Sequence, residues 1–261
     1  MSSSPDDATG LAPVPGWCAR EVEEELPGLR LLSLEVEVAR RGSLTGASPG
    51  DIQGRLRELS SRYRGATAVG VRREPVPAAY RVFFRHIGLD PDVMRTPIEA
   101  AVLERLLRGG FLSGGLLEDV LLIALVDTGV PVWALAADSL EGPLGVRASG
   151  EDERLGRSAR APALPAGRLV IADASTPLAI LFGGLAPGHE PAASTRRLAL
   201  FAVQVAGVPD VYVEEALWTG RLALEQPCRG RLRTRVESRD PALSGGVARE
   251  PARAANRRAR H

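Results

Sequence analysis

The chain has 261 residues, 44% of them apolar, enough to build a sizeable core in one large domain or two small ones. Its formal net charge is only +1, but all 33 basic residues are arginine and they are unevenly placed. From Pro227 to His261 ten Arg face Glu237, Asp240 and Glu250, a net of +7, which leaves −6 on residues 1–226 (+1 minus +7). An acidic body with a basic end has the charge pattern of a nucleic-acid interaction tail. The arginine-only complement is equally what a GC-rich genome writes into a tail.

Cys18 and Cys228 are far apart and form no CxxC pair, which argues against a disulfide framework and a zinc site. His86, His189 and His261 show no ligand spacing, so neither a metal nor another cofactor is expected. MSSSPDDATG lacks the basic start and apolar core of a secretory signal. Apolar runs such as Val120–Val126 fall far short of the ~20 residues a membrane helix needs. A soluble cytoplasmic chain is expected.

In chain order, residues 1–16 are rich in Ser, Pro, Asp and Gly and are predicted to be disordered, with order beginning near Trp17. In RLLSLEVEVARR, Leu32, Leu34, Val36 and Val38 alternate with polar residues, the pattern of a half-buried strand. Asp51 is placed to cap an amphipathic helix through Ile52, Leu56, Leu59 and Tyr63. Tyr80, Phe83, Phe84 and Ile87 keep helical spacing, with Gly88 as the stop. Pro97 opens a further helix that Gly109-Gly110 ends, with Glu99 and Glu104 read as surface residues. Leu116–Val126 is apolar almost all round, so it is expected as a buried helix ending at Gly129.

Beyond Val130 the period shortens. Strands are expected at Val132–Ala136, Leu144–Ala148, Arg168–Ala172, Leu178–Phe182 and Leu198–Val205, with Glu151–Pro165 as a charged loop. A last helix runs from about Asp210 to Leu224, and residues 227–261 are expected as a disordered Arg-rich tail. Mixed strands and helices without strict βαβ alternation predict an α+β fold in one domain over residues 17–226.

The order of elements from Tyr80 to Asp138, and then GRLVIADASTPLAILFGGLAPGHEPAASTRRLALFAVQVAG, resembles the B3/B4 domain of the phenylalanyl-tRNA synthetase beta subunit, and more closely the stand-alone proteins built from that domain. Asp119, the Gly129…Pro131 pair, Asp173, Gly183, Gly184 and Thr195 sit where the family's pattern puts them. In the synthetase this domain hydrolyses wrongly charged tyrosyl-tRNA. The resemblance therefore implies mixed β-layers with flanking helices and one buried helix, and tRNA or another RNA as partner. No DNA partner or membrane is implied.

This chain departs from the editing enzymes at three polar positions. Where they carry an Asn in the helix after Asp119, a His two residues after the Gly-x-Pro pair, and a Glu six residues beyond the Thr, this chain has Leu122, Trp133 and Phe201. Deacylation needs a positioned water, a group to take its proton and donors for the oxyanion. Neither indole nor phenyl can do this, so no catalytic residue is assigned.

Asp119, Leu122, Trp133, Gly183, Gly184, Thr195 and Phe201 remain as pocket candidates, and Arg229, Arg231, Arg233 and Arg235 as RNA contacts in the tail. Each has a plainer role open to it: Asp119 as a cap, Trp133 as core, Gly183-Gly184 as a turn. Ser194-Thr195 lacks a GxSxG setting, and His189 lies in a Gly-Pro loop. Three readings stay open: an RNA-binding relative that has lost or altered editing, a trans-editing hydrolase using other groups, and a protein-interaction domain without an RNA role.

Overall fold

The computed structural model describes residues 12–39 and 44–225. It is an α+β fold of seven helices and eight strands among the described residues. Strands β1 (Val14–Pro15), β3 (Arg30–Glu37), β8 (Arg197–Gln204) and β4 (Val132–Ala136) form an antiparallel sheet in the order β1-β3-β8-β4. A second sheet has the order β2-β5-β6-β7, from β2 (Trp17–Cys18), β5 (Gly145–Ala148), β6 (Leu169–Ala172) and β7 (Pro177–Ile180). There β2 pairs parallel with β5 and the other pairs are antiparallel.

The chain enters both sheets in its first described residues, which corrects the disorder expected to residue 16. Val14 and Pro15 pair with Ser33 and Leu32 at a sheet edge, where the proline's missing N–H costs no ladder bond. Gly16 then crosses to the second sheet. A Cβ there would lie 2.3 Å from the Leu144 carbonyl oxygen, so only glycine fits. Residues 1–11 and the tail from 226 onward, with Arg229, Arg231, Arg233 and Arg235, lie outside the described residues.

Helix α2 (Gly50–Arg62) starts one residue before the expected cap: Pro49 holds the cap position and Asp51 falls in the first turn. Helices α1 (Arg20–Glu25) and α3 (Ala66–Gly70) are too short to carry a period and have no counterpart in the sequence reading. Helix α4 (Pro75–His86) ends in paired 6→1 and 5→2 bonds, from the Leu89 N–H to the Phe84 carbonyl and from the Gly88 N–H to the Arg85 carbonyl, with Gly88 at φ +77°. Thr96 and Glu99 form a capping box on α5 (Pro97–Arg108). Glu99 is not a free surface residue, since it is half-buried and bonded 2.6 Å from Arg81.

Helix α6 (Leu116–Thr128) packs along α7 (Asp210–Glu225), α2 and α5, and α7 lies on β8 and β3. At Gly220 of α7 an added Cβ would meet Leu200 Cδ1 at 3.0 Å, so Leu200 points to the helices. Side chains alternate along a strand, so Phe201 points to the opposite face, toward the second sheet. Strand β8 is covered on both sides, which is why Leu198–Gln204 reads as a continuous buried run rather than an alternating one.

Candidate functional site

The face of β8 turned away from α7 carries Phe201, with Trp133 of β4 directly opposite in register. Their rings stack, with centroids 5.6 Å apart and planes 17° apart. The pair is met from the second sheet by Ile171, Ala179 and Ile180, and the space they enclose with Phe182 has no room for a water molecule. Phe182 is the centre of this packing: its ring lies 5.5 Å from Trp133 and 5.8, 5.8 and 5.0 Å from Tyr80, Phe83 and Phe84 of α4. Each such ring pair adds about 0.5–1.5 kcal/mol beyond the area buried. The Tyr80 hydroxyl donates to the Val203 carbonyl at 2.8 Å, so this buried oxygen is satisfied.

Strand β7 was expected to reach Phe182 but stops at Ile180, because the chain turns there. The Gly183 N–H bonds the Ile180 carbonyl at 2.8 Å and Phe182 has φ +57°. This makes Phe182 the third residue of a turn, a position usually held by Gly or Asn. Left-handed backbone at a bulky residue costs about 1–3 kcal/mol and persists only where its surroundings fix it. Gly183 is required by close approach, since a Cβ would lie 2.8 Å from Ile180 Cβ. Its N–H is spent on the turn, so the glycine pair does not present both N–H groups to a ligand. The sequence reading missed Phe182. Its signal was an aromatic residue immediately ahead of Gly-Gly, where an ordinary strand end would place a polar one.

The other candidates lie elsewhere. Leu122 does not join Trp133 and Phe201, because α6 packs along α7, on the far side of the first sheet. Leu122 sits one turn after Asp119 and lines, with it, a separate cleft of about 450 Å³ bounded by Arg105, Arg108 and the 110–114 loop. Asp119 is buried, and its carboxylate accepts from the Ser48 and Ser113 hydroxyls at 2.5 Å each and from the Gly114 N–H at 2.9 Å. The cations of this cleft are also engaged: Arg105 donates twice to the Ser60 carbonyl and Arg108 pairs with Glu104. Thr195 closes an exposed turn, accepting the Ala192 N–H at 2.9 Å. The seven pocket candidates thus fall in three places, with Trp133, Phe201 and the Gly183-Gly184 turn together, Asp119 and Leu122 together, and Thr195 apart.

A polar cluster flanks the second sheet. Asp173 is buried and accepts the N–H groups of Glu141, Ser175 and Thr176, while Arg157 reaches Asp173 at 3.4 Å and Glu141 at 2.8 Å. Burial alone would raise the Asp173 pKa, but the three N–H bonds and Arg157 outweigh it and hold the carboxyl below the usual range. The ring of His189 is buried, with Nδ1 3.0 Å from the Ser139 hydroxyl, and burial followed by the Arg157 charge lowers its pKa. Among the described residues no group of three or more His, Cys, Asp or Glu is arranged to hold a metal.

Both shifts have one sign. A folded pKa below the unfolded one gives stability that is complete above the unfolded value and is lost as pH falls. Acidification is therefore expected to destabilise the chain first below about 6.5, through His189, and again below about 3.9, through Asp173. Urea midpoints taken from pH 8 to pH 3 read both steps. His189→Gln should abolish the upper step alone, and an upper step that survives in that variant assigns it to other groups.

No protein-family model matches this chain. Against curated proteins, it is 40% identical over 101 residues to the phenylalanine–tRNA ligase beta subunit of Xanthomonas oryzae pv. oryzae (strain MAFF 311018). It is 39% identical over 100 residues to that of Xylella fastidiosa (strain Temecula1) and 39% over 101 residues to that of Xanthomonas campestris pv. campestris (strain 8004). This chain is similar to part of that subunit. The matched stretches cover 37–38% of this chain and 12% of each relative. Among the described residues no helix is long and apolar enough to cross a membrane.

Proposed function

We propose that this chain is a B3/B4-type domain that binds tRNA or a related RNA in the cytoplasm and has lost hydrolytic editing. The similarity to the ligase subunit supports the tRNA relation. The observation that carries the loss of chemistry is the interior between the sheets, where Trp133, Phe182 and Phe201 leave no room for an attacking water. Trp133 and Phe201 stand where the resemblance calls for His and Glu, and they face one another across β4 and β8.

A trans-editing hydrolase using Asp119 or the Gly183-Gly184 backbone is less well supported. Asp119 already accepts three hydrogen bonds, and the Gly183 N–H is committed to Ile180. The test uses the full chain with deacylated bulk tRNA across a salt series, and with tyrosyl-tRNA carrying the phenylalanine anticodon at protein concentrations comparable to substrate. Binding is expected to weaken with salt, with a log–log slope of about 0.7–0.9 per phosphate neutralised. Deletion of residues 227–261 flattens that slope if the tail makes the contacts. Deacylation is expected at the spontaneous rate, and turnover well above it would overturn the loss of editing. No tRNA binding at low salt would favour the protein-interaction reading.

A further inference from the structure

We propose that Phe182 is a side-chain gate over a concealed binding cavity for small, uncharged aromatic molecules. Its ring occupies a niche walled by Tyr80, Phe83, Phe84 and Trp133, four rings within 6 Å of its own centroid. The niche is filled as long as the ring stays in it. Removing the ring leaves a space shaped for another flat ring.

Three features make Phe182 a gate rather than an ordinary core residue. It is only half-buried, on a turn whose next two residues, Gly183 and Gly184, are exposed, so the ring has a path to solvent. Its backbone is held at φ +57°, at a turn position that favours glycine, so leaving the niche allows the backbone to relax. A Cβ added at Gly184 would meet nothing within 4 Å, so the outer side of the turn is open to a moving ring. The ring contacts offset the strain together with the two bonds that close the turn, from the Gly183 N–H to the Ile180 carbonyl and from the Ile180 N–H to the Gly184 carbonyl, and a competing aromatic guest supplies the ring contacts.

The walls also set the chemical class of guest. They are apolar rings with Ile171 and Ala179 behind, and the Tyr80 hydroxyl is already bonded to Val203. The Trp133 indole N–H in the walls can only donate, so an ammonium would enter without an acceptor, which disfavours free amino acids and favours neutral aromatics. This inference does not depend on the RNA reading, and neither tRNA binding nor deacylation bears on it.

The test is a ¹⁹F NMR titration of the full chain with 4-fluorotoluene, with 4-fluorophenylalanine as the charged counterpart. The unaltered chain should bind 4-fluorotoluene weakly, because its open state is only fractionally populated. Phe182→Gly should bind at least about tenfold more tightly, since the conformational cost of opening is gone. Phe182→Leu, which keeps an apolar side chain if the glycine variant fails to fold, should fall between them. Little or no binding of 4-fluorophenylalanine is expected. Equal affinity in variant and unaltered chain, or no binding by either, would overturn the gate. Binding by the variants with the unaltered chain silent at saturation would make Phe182 a permanent core residue and also overturn it. Tighter binding of 4-fluorophenylalanine than of 4-fluorotoluene would overturn the class of guest.

Discussion

Phe201→Glu is expected to unfold this domain or bring it close to unfolding at neutral pH. Phe201 is 1% exposed, stacked on Trp133 and enclosed by the second sheet. Losing the ring in such a place costs about 3–5 kcal/mol. The new carboxylate would enter a water-free space, at an effective cost of several kcal/mol more. Together these rival the roughly 5–15 kcal/mol that holds a typical domain folded. The carboxyl can escape part of this by staying protonated, so the variant should recover stability as pH falls toward 5, opposite in direction to the parent. Adding Trp133→His opposite it supplies a hydrogen-bonding partner but opens a further void. The double variant should therefore lose less than the sum of the two single changes. Phe201→Leu is the volume control and should cost far less. Urea midpoints decide the matter: a Phe201→Glu midpoint near that of the parent would mean that this ring stack is not part of the core.

The same stack marks how far the sequence could be read. Element positions were legible wherever a period or a punctuating residue was strong. Strand β4 falls on Val132–Ala136 as the sequence predicts, and α5 opens at Pro97 behind its capping box. The α+β class followed from the order of such elements. Failures occurred where tertiary contacts decide local form. Val14–Pro15 has no strand pattern of its own and is ordered only because β3 offers an edge. Phe182 is an apolar residue continuing an apolar strand, and although Gly183-Gly184 marks a turn, it does not say that the left-handed position falls on Phe182 itself. The ring cluster holds it in left-handed backbone, and that cluster assembles from α4, β4 and the β7 turn, each about 50 residues from the next in the chain. Placing Leu122 with Trp133 failed for a related reason. The apolar periodicity of α6 shows that it is buried but not on which side of the sheet, and the packing of α6 along α7 settles that.

Asp119→Ala is expected to cost about 3–5 kcal/mol, much more than Asp119→Asn, because the carboxylate ties the start of α6 to two loops. Ser48 comes from the loop ahead of α2, and Ser113 and Gly114 from the loop that leads into α6. The first of these loops also closes the helix end directly, through the Leu116 N–H to the Gly46 carbonyl and the Leu117 N–H to the Leu44 carbonyl. Removing the carboxylate leaves three donors without their acceptor. The serine hydroxyls can rotate toward other partners, but the Gly114 N–H is fixed by the backbone. A negative charge in the first turn also favours the helix end, by about 0.3–2 kcal/mol depending on burial. Asn keeps the shape and one accepting oxygen. Its amide can donate to a serine oxygen once that hydroxyl reorients, so a loss of about 1–2 kcal/mol is expected. Ser48→Ala and Ser113→Ala should each cost about 1 kcal/mol in the parent and less in the Asp119→Ala background, since the shared acceptor is already gone. Denaturant melts of the variants, with limited proteolysis at residues 44–48 and 110–115, read both the energy and its location. An Asp119→Ala chain within about 0.5 kcal/mol of the parent would show that these loops are held by the backbone bonds alone.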